Sequence, residues 1–394
     1  LNHSITDFIK KDSSSGILLI VVTLLALFLQ NSSLSSIYTH FLHTPVEVSV
    51  GTFEIAKPLF LWVNDGLMAI FFFVIGLEVK REVMEGHLSS LSKVALPGIA
   101  AIGGMVVPAL VFILFNSGGE FAMNGWAIPT ATDIAFALAV LSLLGNRVPL
   151  SLKIFLLALA IIDDLGAIAI IAIFFTVELS TLSLVVAGFS LLTLAVMNRL
   201  GVARQSVYLF VGVILWISVL KSGVHATMAG VTLAFLIPLH SKDENGKTFS
   251  MAHDMEHGLH YWVTLFILPL FAFVNAGVDL RGISLEEMAG PVPLGIMAGL
   301  FIGKQVGVFG FSWIAIKLGW ASLPKDATWT MLYGVAILTG IGFTMSLFVD
   351  TLAYNGTKMF HYADKLAILL GSLFSAVFGY LVLHLSTKNK KEIE

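Results

Sequence analysis

Long apolar runs separated by short polar or turn-forming clusters set the character of this chain. Cut at those clusters, it falls into twelve runs, near 15–30, 58–80, 95–116, 121–144, 150–176, 180–198, 205–220, 223–239, 260–278, 291–316, 328–350 and 362–385. A bilayer core of about 30 Å needs about 20 apolar residues in helical form. The pattern therefore predicts an all-α polytopic membrane protein of twelve transmembrane helices, the eighth of them short. Between the first two runs the period changes. Val46, Val48 and Val50 alternate with Glu47 and Ser49, Gly51 interrupts, and Phe53 and Ile55 resume. This predicts a small external β-hairpin over about 45–57, either a plain surface feature or a subunit contact, because exposed strand edges pair readily.

Composition narrows the class. Of 394 residues, 57% are apolar and 12% charged, against about 25% charged in an ordinary soluble domain, and the mean hydropathy is +0.92. Polar surface is too scarce to cover a globule of this size, so most of the outer face must meet the lipid bilayer. A formal net charge of −3 with no dense basic run argues against a nucleic-acid partner. The absence of cysteine excludes disulfides, Cys-ligated zinc, iron–sulfur clusters and covalently attached haem, and no cofactor is called for. Lys10 and Lys11 before the first run have the look of a signal peptide, but many spans and no A-x-A site follow, so this run reads as a span. Sixteen basic residues fall on the N-terminal side of the spans, and five (Lys57, Lys221, Arg281, Lys358, Lys365) on the other. The positive-inside rule then puts both termini in the cytoplasm, which an even number of spans allows. The expectation is one multi-pass domain over 1–394.

Most charged residues lie in loops or at span ends, but Asp65, Asp133, Asp163, Asp164 and Lys304 lie within the spans. Each costs at least about 2.5–3.5 kcal/mol at a helix centre. Fully ionised they sum to −3 in a low dielectric, where burial and like charges both disfavour carboxylates. Protons must be held there, or a cation must replace them, so the charge count alone suggests a site where H+ and a metal cation compete. Asp163 and Asp164, in Leu156-Leu-Ala-Leu-Ala-Ile-Ile-Asp-Asp-Leu-Gly-Ala167, point about 100° apart on a helix, so one can line a cation cavity while the other meets a second partner. Asp133 follows Pro129-Thr-Ala-Thr132, residues that start helices rather than continue them, and predicts a break in the fourth span. A second break is visible in the eleventh at Thr339-Gly-Ile-Gly342-Phe-Thr344-Met-Ser346. Irregular backbone at that depth is tolerated only where protein or a cavity satisfies it. These spans are the middle members of candidate three-helix repeats over about 95–176 and 291–385, and paired interrupted spans point to a transport site. Lys304 is the cation available at that depth, to pair with an acid of the fifth span, face the negative ends of half-helices, or carry a proton itself. Asp65, nearer the outer end of its span, reads as structural or part of a vestibule, and His225 as a packed or interfacial histidine.

At the cytoplasmic end of the second span stands Glu78-Val-Lys80-Arg81-Glu82, and before the ninth His253-Asp254-Met-Glu256-His257-Gly-Leu-His260. Both belong to one side of the membrane. They form either a solvated charged loop or a pH-sensing face, since histidine titrates between pH 5 and 8.

Several motifs together identify a family. Trp126-Ala-Ile-Pro-Thr-Ala-Thr-Asp133-Ile-Ala-Phe-Ala137, Ala158-Leu-Ala-Ile-Ile-Asp163-Asp164-Leu-Gly166, Gly76-Leu-Glu78-Val-Lys-Arg-Glu82, Lys221-Ser-Gly-Val-His225-Ala-Thr227 and Gly340-Ile-Gly-Phe-Thr-Met-Ser346 resemble the NhaA-type sodium/proton antiporters along essentially the whole chain. That family is a known example of inverted-topology repeats with broken helices, so the resemblance implies both here. The resemblance implies a pH-regulated, electrogenic antiporter of a bacterial inner membrane, exchanging internal Na+ or Li+ for two protons. It implies that Asp163 and Asp164 carry ions and protons, with Asp164 the principal cation ligand, a transient metal site. Thr132 and Asp133 would lie where two unwound segments cross and share in binding cation or proton, Gly342 would be structural or part of a vestibule, and Lys304 would balance the half-helix ends or carry a proton and pair with Asp163. Glu78, Arg81, Glu82, Glu256 and His257 would act in pH activation, and the hairpin in a homodimer. Departures are Gln305 where the family has Pro, His253-Asp254 for a basic pair, and Tyr261 for Pro.

Other classes fit less well. A sodium-coupled symporter of an organic solute would need a larger polar pocket, and the crossing offers no Arg for an anionic substrate. An intramembrane aspartyl protease needs two acids from separate helices, and no G-x-G-D occurs, so the chain is not read as an enzyme. Broken helices suit stepwise exchange better than a channel.

Overall fold

The structure is a computed structural model that describes residues 2–51, 53–86, 88–175, 180–242, 246–354, 360 and 362–388. Lys358, Lys390 and Lys391, used in the orientation count, lie outside them. In chain order the principal elements are α1 (Asn2–Gln30), α2 (Ser35–Leu42), β1 (Pro45–Val50), β2 (Phe53–Pro58), α3 (Met68–Met84), α4 (Leu91–Asn116), α5 (Ile134–Ser142), α6 (Leu150–Phe174), α7 (Thr181–Arg199), α8 (Gln205–Leu220), α9 (Thr227–Leu236), α10 (Met251–Trp262), α11 (Leu268–Asn275), α12 (Pro291–Ala298), α13 (Lys304–Lys317), α14 (Trp329–Leu338), α15 (Phe343–Ala353) and α16 (Ala363–Lys388).

The molecule is mostly helical. Among the described residues seven helices are long and apolar enough to cross a membrane, or up to ten spans if each of three bent helix pairs counts as one. Two of the twelve expected spans fall short of that length. α8 has 16 residues. α9 has 10, because the chain runs in turns from Lys221 to Ala226, with Gly223 at φ 86°. Large apolar side chains such as Leu114, Leu182, Phe189 and Phe210 stand exposed, as a lipid-facing surface requires.

The chain divides into two units. The first comprises residues 1–34, 90–167 and 275–394. Here α4 and α13 pack so closely that a Cβ on Gly307 would lie 2.6 Å from the carbonyl carbon of Gly103. A π-helical turn, Gly299–Gly303, joins α12 to α13. It lies against Pro108 of α4, where a Cβ on Gly303 would come within 2.7 Å of Pro108 Cα, and it sets the direction of the next residue, Lys304. Gln305, which stands where the family has Pro, follows this turn within a span that runs uninterrupted from Pro291 to Lys317. α14 packs on α16, with Gly334 against Leu383.

The second unit comprises residues 35–89 and 168–274. α3 packs on α9 through Gly76 and Gly230, around a core that includes Leu77, Leu194, Tyr208, Leu215 and Leu233. β1 and β2 form the expected antiparallel hairpin, register Val48↔Ile55, turning at Gly51 with φ 62°. A second π-helical turn, Val63–Leu67, precedes α3 and carries Asp65.

Candidate ion site

Both expected breaks are present in the first unit. Asn124–Thr130 is a 3-10 segment, and with the preceding short helix it meets α5 at 41° across Ala131, Thr132 and Asp133. α14 and α15 meet at 43° across Thr339–Gly342. The two breaks touch: the Asp133 N–H donates to Ile341 O at 2.6 Å, Thr132 Oγ1 donates to Thr339 O at 2.9 Å, and Ser346 Oγ donates to Ile128 O at 2.8 Å. Backbone groups released by each break are thus met by the other, which is the condition for irregular backbone away from water.

Asp133 serves two helix starts at once. Its Oδ1 accepts the Phe136 N–H of α5 at 3.0 Å, as an N-cap does. Its Oδ2 accepts the Thr344 N–H of α15 at 3.1 Å and also the Thr344 hydroxyl. The positive ends of two half-helix dipoles therefore meet one carboxylate. Lys304 reaches the crossing at Thr132, the neighbour of Asp133. Its Nζ donates to Thr132 Oγ1 at 2.9 Å and to Asp163 Oδ2 at 2.7 Å, while the Thr132 hydroxyl donates in turn to the Thr339 carbonyl at the end of α14. An ammonium beside a helix C-terminus is the complementary arrangement.

Lys304 is 0% exposed, Asp133 and Asp163 2%, and Asp164 3%, so none of these charges is solvated by bulk water. Asp164 is near enough for its charge to act on Lys304. Asp163 Oδ1 has no hydrogen-bond partner among the described residues. Gly342 stands at the start of α15, where a Cβ would lie 2.8 Å from Leu300 Cδ2.

The other residues singled out from the sequence lie in the second unit. Asp65 pairs with Lys57 at 2.7 Å, and its carbonyl accepts from Trp216 Nε1 at 3.1 Å. His225 Nδ1 is 2.9 Å from Thr227 Oγ1, within electrostatic reach of Asp65 and Lys57. Arg81 forks onto Glu256 through Nε and Nη2 at 2.8 and 3.0 Å and reaches Glu82 at 2.6 Å. Glu78 is within electrostatic reach of Arg81, Glu82, Glu256 and His260. His257, by contrast, is exposed and lies beside the His253 ring, centroids 6.1 Å apart. The structure thus brings His260 to Glu78, while His257 faces outward on α10.

Sequence reasoning missed two acids. Asp350 and Asp364, at the ends of apolar runs, are 2% and 4% exposed and lie near Tyr354, whose hydroxyl donates to Ala122 O at 3.0 Å.

Fold and site define a polytopic membrane protein that keeps a cluster of ionisable side chains at the crossing of two interrupted helices, a transporter's arrangement. Comparison with known proteins gives the particular family. The family described as Na+/H+ antiporter 1 matches residues 6–383. The Na(+)/H(+) antiporter NhaA of a Sulfurovum species is 73% identical over 387 residues, 98% of each chain. The protein of that name from a Nitratiruptor species is 62% identical over 98% of this chain and 100% of its own, and that from Campylobacter concisus is 58% identical over 98% and 94%. The chain belongs to the NhaA-type Na+/H+ antiporter family.

Proposed function

We propose that this protein exchanges Na+ or Li+ for protons across a bacterial inner membrane, one cation outward for two protons inward, by alternating access. The supporting observation is the charge count at the crossing. Three carboxylates, Asp133, Asp163 and Asp164, share it with one ammonium, Lys304, all excluded from solvent. Two half-helix N-termini contribute roughly half a positive charge each, and the C-terminus of α14, which faces Lys304 across Thr132, about half a negative one, so the cluster is left short of positive charge by more than one unit. Protons or a Na+ make it up, and the two compete. Entering protons bind Asp164 and the Asp163–Lys304 pair. The site then opens inward, Na+ displaces the protons onto water, and the cation leaves outside. Because one set of oxygens serves both ions, neither crosses without the other, and two protons for one cation move net charge.

The same reading extends to the whole chain. The seven long helices, three bent pairs and two shorter apolar helices together make the twelve spans, with both termini cytoplasmic. The similar breaks of 41° and 43° support inverted repeats over about 95–176 and 291–385. The family match across residues 6–383 supports one antiporter domain. Arg81, held between Glu82 and Glu256 with Glu78 beside it, forms the pH-responsive face, joined by His257 on α10. Asp65 and His225 serve an outer vestibule, and the hairpin edge pairs two copies as a homodimer.

The test is Asp164→Asn in everted membrane vesicles. Exchange is expected to vanish while the protein still inserts. Na+-dependent proton movement in that variant would end the assignment.

A further inference from the structure

α15, the second half-helix of the crossing, begins without a cap of its own. Its N-cap residue is Gly342, which has no side chain to accept the N–H groups that every helix start leaves unmatched. A larger residue is kept out by the crossing itself, since a Cβ there would stand 2.8 Å from Leu300 Cδ2 and 3.1 Å from Ala131 O. Two side chains from other elements of the same unit take over. Asp133 Oδ2 accepts the Thr344 N–H, and Ser372 Oγ, on α16, accepts the Phe343 N–H at 3.0 Å. Both acceptors are buried, so water cannot stand in for either. Ser375, three residues on along α16, is equally buried and its hydroxyl has no partner among the described residues.

We propose that Ser372 is a positioning residue for the ion site: by holding the Phe343 N–H it fixes where α15 begins, and so where the Thr344 N–H and hydroxyl meet Asp133. This rests on the antiporter reading above. Ser372 itself touches neither cation nor transported proton. Without its hydroxyl the Phe343 N–H is buried and unmatched, the first turn of α15 loosens, and Asp133 loses the geometry that holds its charge against both half-helix ends. The cost then falls on cation binding rather than on turnover.

The experiment is Na+-driven proton exchange by the full chain in proteoliposomes, measured across Na+ concentrations at fixed pH. Ser372→Ala is expected to raise the apparent KM for Na+ about tenfold, equivalent to about 1.4 kcal/mol, with the maximal rate within about twofold of the parent protein. Ser372→Thr, which keeps the hydroxyl, restores the parent KM, and Ser375→Ala leaves it unchanged. If Ser372→Ala does not yield folded protein, Ser372→Cys keeps the volume with a weaker acceptor and is expected to raise KM by a smaller factor. An unchanged KM in the folded Ala or Cys variant overturns the proposal, as does a rise that Thr fails to reverse or that Ser375→Ala matches. Asp164→Asn separates the two readings. If it is inactive while Ser372→Ala has a normal KM, only the role of Ser372 falls, whereas an active Asp164→Asn removes the site itself.

Discussion

Lys304 and Asp163 form an ion pair with essentially no contact with water. Such a pair gains little over well-packed neutral groups, but removing one member strands the other, at a cost of about 3–5 kcal/mol. Lys304→Gln is therefore expected to lower thermal stability in detergent by that order, and the double variant Lys304→Gln/Asp163→Asn to recover most of the loss. A double variant no more stable than Lys304→Gln alone would show that the pair is not coupled as the geometry indicates. On the pH-responsive face, Glu256→Gln removes the charge that Arg81 grips in a fork. It is expected to displace the pH profile of exchange while leaving the maximal rate within about twofold. A profile unchanged in position would separate that ion pair from regulation. The residues of the crossing were legible in the sequence because a charge inside an apolar run carries a cost that something must offset. Asp350 and Asp364 were not, since an acid at the end of an apolar run reads as interfacial, and their burial depends on how the chain around Tyr354 folds back. The choice between His257 and His260 depended on which side of α10 faces α3, and both lie within one motif.

The elements that matter most are the interrupted ones. Pro129, Thr132 and Asp133 in one span and Gly340 and Gly342 in the other announced both breaks, because each residue disfavours a continuing helix for its own reason. The π-helical turns did not announce themselves. Gly299–Gly303 has nothing in its sequence that separates a π turn from an ordinary glycine-rich contact, and it is the packing on Pro108 that accompanies it. The shortening of α9 was equally hidden, being set by the turns from Lys221 to Ala226. Glycines on α4 and α13 let these two helices approach closely beside Lys304. Gly307→Val places a branched side chain against the Gly103 backbone and is expected to cost about 1–3 kcal/mol by overpacking, read as a lower melting temperature. A variant as stable as the parent would mean that the two helices have room to part.

At the scale of the molecule, the apolar runs predicted a membrane protein, and the described residues supply seven to ten spans of sufficient length. The orientation rests on where basic residues fall, and it is open to a direct check because the chain has no cysteine. Lys242→Cys is expected to react with a membrane-impermeant maleimide only from the cytoplasmic side, and Lys221→Cys only from outside. Labelling of both from one side would contradict the twelve-span arrangement. The central claim is that Na+ and protons compete for the same buried carboxylates, and the most direct measurement is of protons released when Na+ is added to the purified, weakly buffered protein. Release that saturates with Na+, approaches two protons per cation and is lost in Asp164→Asn is the predicted result; Na+ binding that releases no protons would contradict it.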